Sequence, residues 1–159
     1  MVRAPVIGKT VSMKGCGFIS SKTKIIGEIG EHVVMTEFLK RGIMVSRPVG
    51  ELSEYDLIVD VNHKLYKAQV KSTEFVREGK MIFQTNITNP FKKTKRMYTD
   101  DEIDLFILYC HENGYVGIVT ISECTSSGTV IRLSPPANCQ KAKIKLAENY
   151  QMDVVLPNL

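Results

Sequence analysis

The sequence has few cysteines and histidines, and neither residue type shows the spacing of a metal site. The four cysteines contain no CxxC pair and lie at Cys16, Cys110, Cys124 and Cys139. The three histidines are equally dispersed, at His32, His63 and His111. These patterns predict neither a zinc site nor a disulfide framework. We expect the histidines to be surface or packing residues rather than ligands.

Long apolar runs are also missing. No run approaches the ~20 residues that a membrane-spanning helix needs, and the N-terminus lacks the apolar core of a signal peptide. We therefore expect an intracellular, cytoplasmic protein. The 159 residues, 43% hydrophobic and 24% charged, suit one compact domain with a single core, and no internal repeat is visible.

Acidic residues are absent from two stretches that are rich in lysine and arginine. The basic residues of positions 1–24 and 90–97 are Arg3, Lys9, Lys14, Lys22, Lys24, Lys92, Lys93, Lys95 and Arg96. These nine positive charges exceed the net charge of +4 of the whole chain, so basic charge is concentrated as a phosphate-binding surface requires. The alternative is that the lysines merely keep a loop soluble. We expect residues 1–23 to form a flexible basic arm and residues 24–159 to form one domain.

Hydrophobic periodicity predicts an α/β fold. Apolar residues at helical spacing predict a helix near 27–41, and Gly42 suits its C-terminal end. Further apolar segments predict strands near 43–47, 56–61, 65–72, 81–86, 103–110, 115–121 and 130–133. A basic loop is expected through residues 89–91, and a terminal helix over about 138–150, after two prolines. Asp104, within the apolar strand 103–110, is expected to be a structural hydrogen-bond acceptor.

Two neighbouring segments rich in strand-forming residues predict a β-hairpin over residues 55–72. In the predicted register Val61 pairs with Tyr66, and Asp56 then lies opposite Lys71. The polar side chains of both strands would share one face of the sheet. A slip of one residue would send Asp56 to the other face, so this interpretation depends on the register.

The hairpin places a carboxylate, an amide oxygen and an ammonium side by side. Mg²⁺ prefers octahedral oxygen coordination, often from one or two carboxylates with waters and phosphate oxygens. Asp56 can supply the carboxylate, while the side-chain oxygen of Gln69 and the main-chain carbonyl of Val70 are further candidate ligands. Lys71 is suited to hold or help deprotonate an attacking water. The alternative is a half-solvated hairpin that only turns its polar residues outward.

The predicted helix adds an acidic residue close to its apolar stripe. The stripe contains Ile29, Val33 and Phe38, and a carboxylate beside it, at Glu31, needs a partner or a metal. Glu28, one turn earlier, is explained by the positive end of the helix dipole. We prefer Glu31 as the functional carboxylate and keep Glu28 as the alternative.

A helical glutamate, a short strand, an aspartate and a downstream (E/Q)-x-K sequence together resemble the PD-(D/E)XK nuclease superfamily. The resemblance spans about residues 24–150, and its motifs lie at 27–31, 42–47, 55–58 and 69–72. Two branches are similar: archaeal-type Holliday junction resolvases and small intron-encoded homing endonucleases with a Gln-x-Lys motif. Residues 98–107 and 136–141 also resemble the second branch. Membership implies a restriction-endonuclease-like core, a central mixed β-sheet flanked by helices.

The resemblance implies a role for each matching residue. Asp56 would be the central metal ligand, Glu31 the helix carboxylate that binds metal directly or through water, and Lys71 the residue that positions or activates the water. Gln69 replaces the commoner glutamate, and Tyr55 replaces the proline of the motif. Because an amide carries no negative charge, we expect weak metal affinity and a need for millimolar Mg²⁺ or for Mn²⁺. Whether one or two metal ions bind stays open.

The sequence therefore predicts a Mg²⁺-dependent DNA endonuclease that hydrolyses phosphodiester bonds. We expect a Holliday junction resolvase that cuts four-way or branched DNA as a homodimer, because two symmetric nicks need two equivalent sites. The alternatives are a sequence-specific homing-type endonuclease on duplex DNA and, in another class, a non-catalytic DNA-binding module. The expected DNA contacts are Lys24, Arg47, Ser72, Lys92, Lys93, Lys95 and Arg96.

Overall fold

Two α-helices and ten strands make up the described part of the chain, residues 22–50, 52–89, 94–136 and 144–159 of a computed structural model. The basic arm expected at the N-terminus lies outside these ranges up to residue 21, as do residues 90 and 91 of the expected basic loop. In chain order the elements are α1 (Lys22–Lys40), β1 (Met44–Ser46), β2 (Leu57–Val61), β3 (Lys64–Thr73), β4 (Lys80–Phe83), β5 (Asn86–Asn89), β6 (Thr94–Met97), β7 (Leu105–Cys110), β8 (Tyr115–Thr120), β9 (Thr129–Arg132), β10 (Lys145–Leu146) and α2 (Met152–Val155).

Helix α1 begins earlier than the predicted start near residue 27 and ends close to the predicted position. Gly42 follows it with a φ of 72°, a left-handed conformation that glycine adopts without steric cost. The buried positions of the helix are Gly30, Val34 and Phe38. Ile29, which the sequence placed in the buried stripe, is 46% exposed, so that part of the prediction is wrong. The buried face is therefore narrower than the apolar pattern suggested.

The β2–β3 hairpin is tighter than predicted. Val61 pairs with Lys64 and Val59 with Tyr66, so the predicted pairing of Val61 with Tyr66 is wrong by two residues. The reason is the two-residue turn, whose Asn62 and His63 both have positive φ values, 53° and 64°, as type I′ turns require. Because the side-chain period of a strand is two, this even slip leaves every residue on its predicted face.

The central sheet has the strand order β1-β2-β3-β7-β8. Strands β3 and β7 run parallel, while the other neighbours are antiparallel, so the predicted mixed sheet is confirmed. Asp104 fixes the start of the parallel pairing, because its Oδ2 accepts a hydrogen bond from the Lys67 N–H at 2.7 Å. This is the structural role expected for it. Strand β7 is buried along its whole length, as expected for a strand covered on both faces.

The two faces of the central sheet bury different cores. On one face Leu105 and Ile107 of β7 pack with Val34 and Phe38 of α1. On the other face Phe106, Leu108 and Cys110 of β7 pack against the sheet β10-β9-β4. The predicted terminal helix over 138–150 is wrong where the structure describes it. Residues 145–146 form β10, which pairs with β9, and a 3-10 turn follows at Ala147–Asn149.

Strands β5 and β6 form an antiparallel ribbon that flanks the predicted basic loop on both sides. Among the described strands they pair with each other alone. Every residue of β6 is exposed, whereas β5 begins with the buried Asn86, so β6 is the strand that the ribbon presents to solvent. None of the described helices is both long enough and apolar enough to cross a bilayer.

Candidate active site

Asp56 lies immediately before strand β2, and both its backbone and its side chain are hydrogen-bonded to β3. Its N–H donates to the Ala68 carbonyl at 3.0 Å. Its Oδ2 accepts hydrogen bonds from the Val70 N–H at 2.8 Å and from the Gln69 Nε2 at 2.5 Å. The pairing of β2 with β3 ends at the first residue of β2, Leu57, which lies opposite Ala68. The Val70 peptide therefore faces the space beyond the N-terminal end of β2. Asp56 therefore lies beside Gln69 rather than opposite Lys71 as predicted.

Glu31 reaches the same space from α1. A cavity of about 250 Å³ is lined by both carboxylates and by one loop: its lining residues are Glu31, Arg47, Pro48, Gly50, Ser53, Tyr55 and Asp56. The Glu31 side chain is 19% exposed, and its Oε2 accepts a hydrogen bond from the Arg47 Nη2 at 2.8 Å. Glu28 is 58% exposed and 3.6 Å from Arg47, and it does not line the cavity. The geometry thus favours Glu31 over Glu28 as the helix carboxylate.

The helix approaches β3 closely at the residue before Glu31. A methyl group on Gly30 would lie 1.9 Å from the Ser72 Oγ and 3.4 Å from the Tyr109 ring. A side chain at this position would therefore require either the Ser72 hydroxyl or α1, which carries Glu31, to move. The glycine thus permits the close approach of α1 to β3 next to Glu31.

Burial and mutual repulsion make the two carboxylates hard to ionise. Burial, followed by the negative charge of Asp56, raises the pKa of Glu31, although Arg47 acts in the opposite direction. Burial also raises the pKa of Asp56, against the opposing effects of the Val70 N–H and the Lys71 charge. A cation bound in the cavity would offset the negative charge of both acids, so this site is suited to bind one.

The charge of Asp56 affects the pKa of Lys71, but the Lys71 side chain donates its hydrogen bond to Tyr98. Burial lowers the pKa of Lys71, and the Asp56 carboxylate opposes that effect. The Nζ donates to the Tyr98 hydroxyl at 3.2 Å and lies 5.2 Å from the centre of the Tyr98 ring. Sequence reasoning missed Tyr98 as a site residue. No local pattern could have found it, because 27 residues separate it from Lys71.

Comparison with known proteins identifies the family and the fold. The model of the family described as PD-(D/E)XK endonuclease matches residues 21–153. The chain belongs to the PD-(D/E)XK endonuclease family. A solved bacterial homing endonuclease, I-Ssp6803I, has the same fold, with a TM-score of 0.65 at 24% identity over 87% of this chain and 95% of that chain. None of the curated proteins matches the chain.

The family assignment confirms the predicted superfamily and the predicted α/β fold, a mixed sheet with flanking helices. This PD-(D/E)XK chain carries Tyr55-Asp56 where the family name has Pro-Asp, and Gln69-Val70-Lys71 where it has (D/E)-x-K. The structure brings Glu31, Asp56, Gln69 and Val70 together, with Lys71 within electrostatic range. Their catalytic and metal-binding roles stay predictions.

Oxygen donors suited to a hard cation are present, although few are charged. The described residues contain no group of three or more histidine, cysteine or acidic side chains that could hold a metal ion. Two carboxylates, of Glu31 and Asp56, share the cavity. Mg²⁺ commonly binds through one or two carboxylates and keeps several waters, so this donor set fits Mg²⁺ and would not make a closed protein cage. Since Gln69 donates its amide nitrogen to Asp56, its side-chain oxygen is left as a further donor.

The residues expected to touch DNA divide into three groups. Arg47 lies at the cavity and is bound to Glu31, Lys95 is exposed on β6, and Lys24 is exposed in the first turn of α1. Lys92 and Lys93 lie outside the described residues.

The remaining two, Ser72 and Arg96, are engaged within the protein. The Ser72 Oγ is buried beside Gly30 and has no hydrogen-bond partner among the described residues, so it is not accessible to a phosphate. Both terminal nitrogens of Arg96 donate to the Glu102 carboxylate, at 2.6 and 2.7 Å. The guanidinium therefore anchors β6 to the following turn, and its charge is largely compensated.

Proposed function

We propose that this family member is a Mg²⁺-dependent endonuclease that hydrolyses phosphodiester bonds of DNA. The observation that carries the proposal is the meeting of Glu31, Asp56, Gln69 and the Val70 peptide at the end of β2. These groups come from a helix and two strands that share a buried core. They are therefore held more rigidly than a chance cluster on surface loops.

In this proposal Asp56, Glu31, the Gln69 side-chain oxygen and the Val70 carbonyl hold the metal ion. A bound divalent ion would lower the pKa of a water and stabilise the charge that builds on the scissile phosphate. Gln69 and the Val70 N–H orient the Asp56 carboxylate through two hydrogen bonds to its Oδ2. Lys71 orients the attacking water. With an amide in place of the usual acid, we expect a requirement for millimolar Mg²⁺ or replacement by Mn²⁺.

The β5–β6 ribbon supports duplex DNA as the substrate. A two-stranded ribbon fits the major groove, where base edges can be read, and this ribbon has an exposed β6 and a basic side chain at Lys95. The structural neighbour is named as a homing endonuclease. We therefore place sequence-specific cleavage of duplex DNA ahead of the four-way junction favoured by sequence alone. A double-strand cut needs two sites, so we propose a homodimer.

Cleavage assays on three DNAs test these proposals: supercoiled plasmid, a randomised linear duplex library, and a labelled four-way junction. Each is incubated with Mg²⁺, with Mn²⁺, or with a chelator. We expect metal-dependent cuts at particular duplex sequences and loss of at least about 100-fold in rate for Asp56→Asn. Asp60→Asn is the matched control, because Asp60 lies on β2 within its pairing with β1 and β3, away from the cavity.

Each other outcome has a defined meaning. Cuts confined to the junction would restore the resolvase prediction. Tight DNA binding without any cleavage, in either metal, would identify a non-catalytic binding module. Equal rates for Asp56→Asn and Asp60→Asn would remove Asp56 from the active site.

A further inference from the structure

Tyr98 contacts the lysine of the family motif in two ways. Its hydroxyl accepts a hydrogen bond from the Lys71 Nζ at 3.2 Å, and its ring centre lies 5.2 Å from the same nitrogen. Among the described residues, this is the hydrogen bond that the structure gives to the Lys71 side chain. A lysine has four rotatable side-chain bonds, so a single fixed partner strongly restricts where its ammonium can be.

The Tyr98 ring is itself held firmly. It packs edge-to-face on Phe106 of β7, with ring centres 5.4 Å apart and an interplanar angle of 81°. The backbone on either side is braced by Glu102, which accepts hydrogen bonds from the Thr99 N–H at 3.0 Å and from Arg96. Tyr98 also directly follows β6. It therefore connects the exposed ribbon, the buried core and the lysine.

The charges around Lys71 are consistent with a neutral Tyr98 hydroxyl as its hydrogen-bond acceptor. Burial raises the pKa of Tyr98 to about 12, so the phenol stays neutral and offers a lone pair rather than a counter-charge. The Asp56 carboxylate acts on Lys71 from the side of β2. The Lys71 side chain is thus hydrogen-bonded to the Tyr98 hydroxyl and lies within electrostatic range of the Asp56 carboxylate.

We propose that Tyr98 is a positioning residue that holds the Lys71 ammonium toward Asp56 for the cleavage reaction. This inference rests on the proposed nuclease function. It assigns a role to a residue outside the three-element motif, and it links the placement of Lys71 to the base of the β5–β6 ribbon. Tyr98 is not itself proposed to touch DNA, metal or water.

The test is Tyr98→Phe, which removes the hydroxyl and keeps the ring on Phe106. We expect the single-turnover cleavage rate at saturating DNA to fall about 10- to 100-fold, the range for a lost hydrogen bond to a charged group. The dissociation constant for DNA should change less than 2-fold, because the substitution keeps the ring on Phe106 and leaves the exposed residues of β6 unchanged. This division between rate and binding would not follow from a general loss of folded protein.

The matched control is Tyr115→Phe. Tyr115 is a buried tyrosine on β8 whose hydroxyl donates to the Ala147 carbonyl, also at 3.2 Å. It loses a hydrogen bond of equal length in the same core but far from Asp56, so its cleavage rate should match the wild type. Equal rates for the two phenylalanine variants would overturn the proposal. A faster Tyr98→Phe enzyme would also overturn it, since Tyr98 would then hold Lys71 in an inactive position.

A second readout does not depend on cleavage. In protein without metal or DNA, an amine-directed reagent is applied briefly at fixed pH, and labelling at Lys71 and Lys67 is compared by mass spectrometry. We expect Tyr98→Phe to increase the labelling of Lys71 relative to Lys67 by at least about 3-fold, because the amine loses its partner. Unchanged labelling would overturn the contact. If the wild type cuts no DNA, the proposed function fails, while labelling still decides whether Tyr98 holds Lys71.

Discussion

Replacing Gly30 by alanine should separate the role of the helix approach from the stability of the helix itself. A methyl group at this position would lie 1.9 Å from the Ser72 Oγ, about 1.5 Å inside an ordinary van der Waals contact. Rotation of the serine hydroxyl would relieve part of the overlap. The new methyl would still meet the Ser72 Cβ at 3.3 Å and the Tyr109 Cδ1 at 3.4 Å. Either the hydroxyl or α1 therefore has to move.

The matched variant is Gly27→Ala, where a methyl group meets nothing within 4 Å. Both substitutions gain about 1 kcal/mol of helix propensity, so this gain cancels when they are compared. What remains is the overpacking at Gly30, roughly 1–3 kcal/mol. We therefore expect Gly30→Ala to be less stable than Gly27→Ala by that amount in urea unfolding monitored by far-ultraviolet circular dichroism.

The same experiment reports on the site. Because Glu31 follows Gly30, displacement of α1 should slow cleavage by Gly30→Ala about 10-fold or more, while Gly27→Ala cuts at the wild-type rate. Adding Ser72→Ala removes the clashing oxygen and should restore both stability and rate. Equal stability of the two alanine variants would refute the close approach. Full activity in a destabilised Gly30→Ala protein would refute the importance of where Glu31 lies.

Two further predictions concern charge. Burial raises the folded-state pKa of Asp56, so ionisation of this carboxyl costs the folded protein more than the unfolded chain. The contribution of the neutral carboxyl to folding stability is present at acidic pH and is lost as pH rises through the folded-state pKa. Asp56→Asn should thus be more stable than the wild type at pH 7 without metal, with the difference shrinking toward pH 4 in thermal melts; a less stable variant at pH 7 would contradict this. On the ribbon, Lys95→Ala should make the fall of log affinity for DNA with log salt shallower, reducing the magnitude of the slope by about 0.9. Arg96→Ala should lower it less, because Glu102 already compensates that charge, and equal reductions would count against this.

The hairpin shows why part of the site was predictable from sequence. The predicted register was wrong, yet Asp56, Gln69 and Lys71 kept their common face, because the error was an even number of residues. The turn chemistry of Asn62 and His63, both at positive φ, decided the true register. Patterns with a period of two are robust to such errors, whereas exact partners across a strand pair are not.

What the sequence could not predict depends on contacts between distant segments. Tyr98, Arg96 and Glu102 form a unit only once β6 and the following turn have folded beside β3. Ser72 carried a polar side chain that suggested a phosphate contact, but the close approach of Gly30 buries it. Residues 145–150 were predicted as the end of a helix, but residues 145–146 pair with β9 and a 3-10 turn follows, so strand pairing overrides the local pattern there.

The amide at Gln69 has a physical explanation in the balance of charges around Asp56. The cavity region holds two acids, Glu31 and Asp56, and two basic groups, Arg47 and Lys71, each acting on at least one of the acids. A glutamate at position 69 would add a third negative charge and could not donate to the Asp56 Oδ2 while ionised. Glutamine supplies that donor at 2.5 Å and keeps its own oxygen for another contact. Under the proposed function, glutamine at position 69 in place of the family's acidic residue lowers the affinity for metal. It also orders the Asp56 carboxylate before the metal binds.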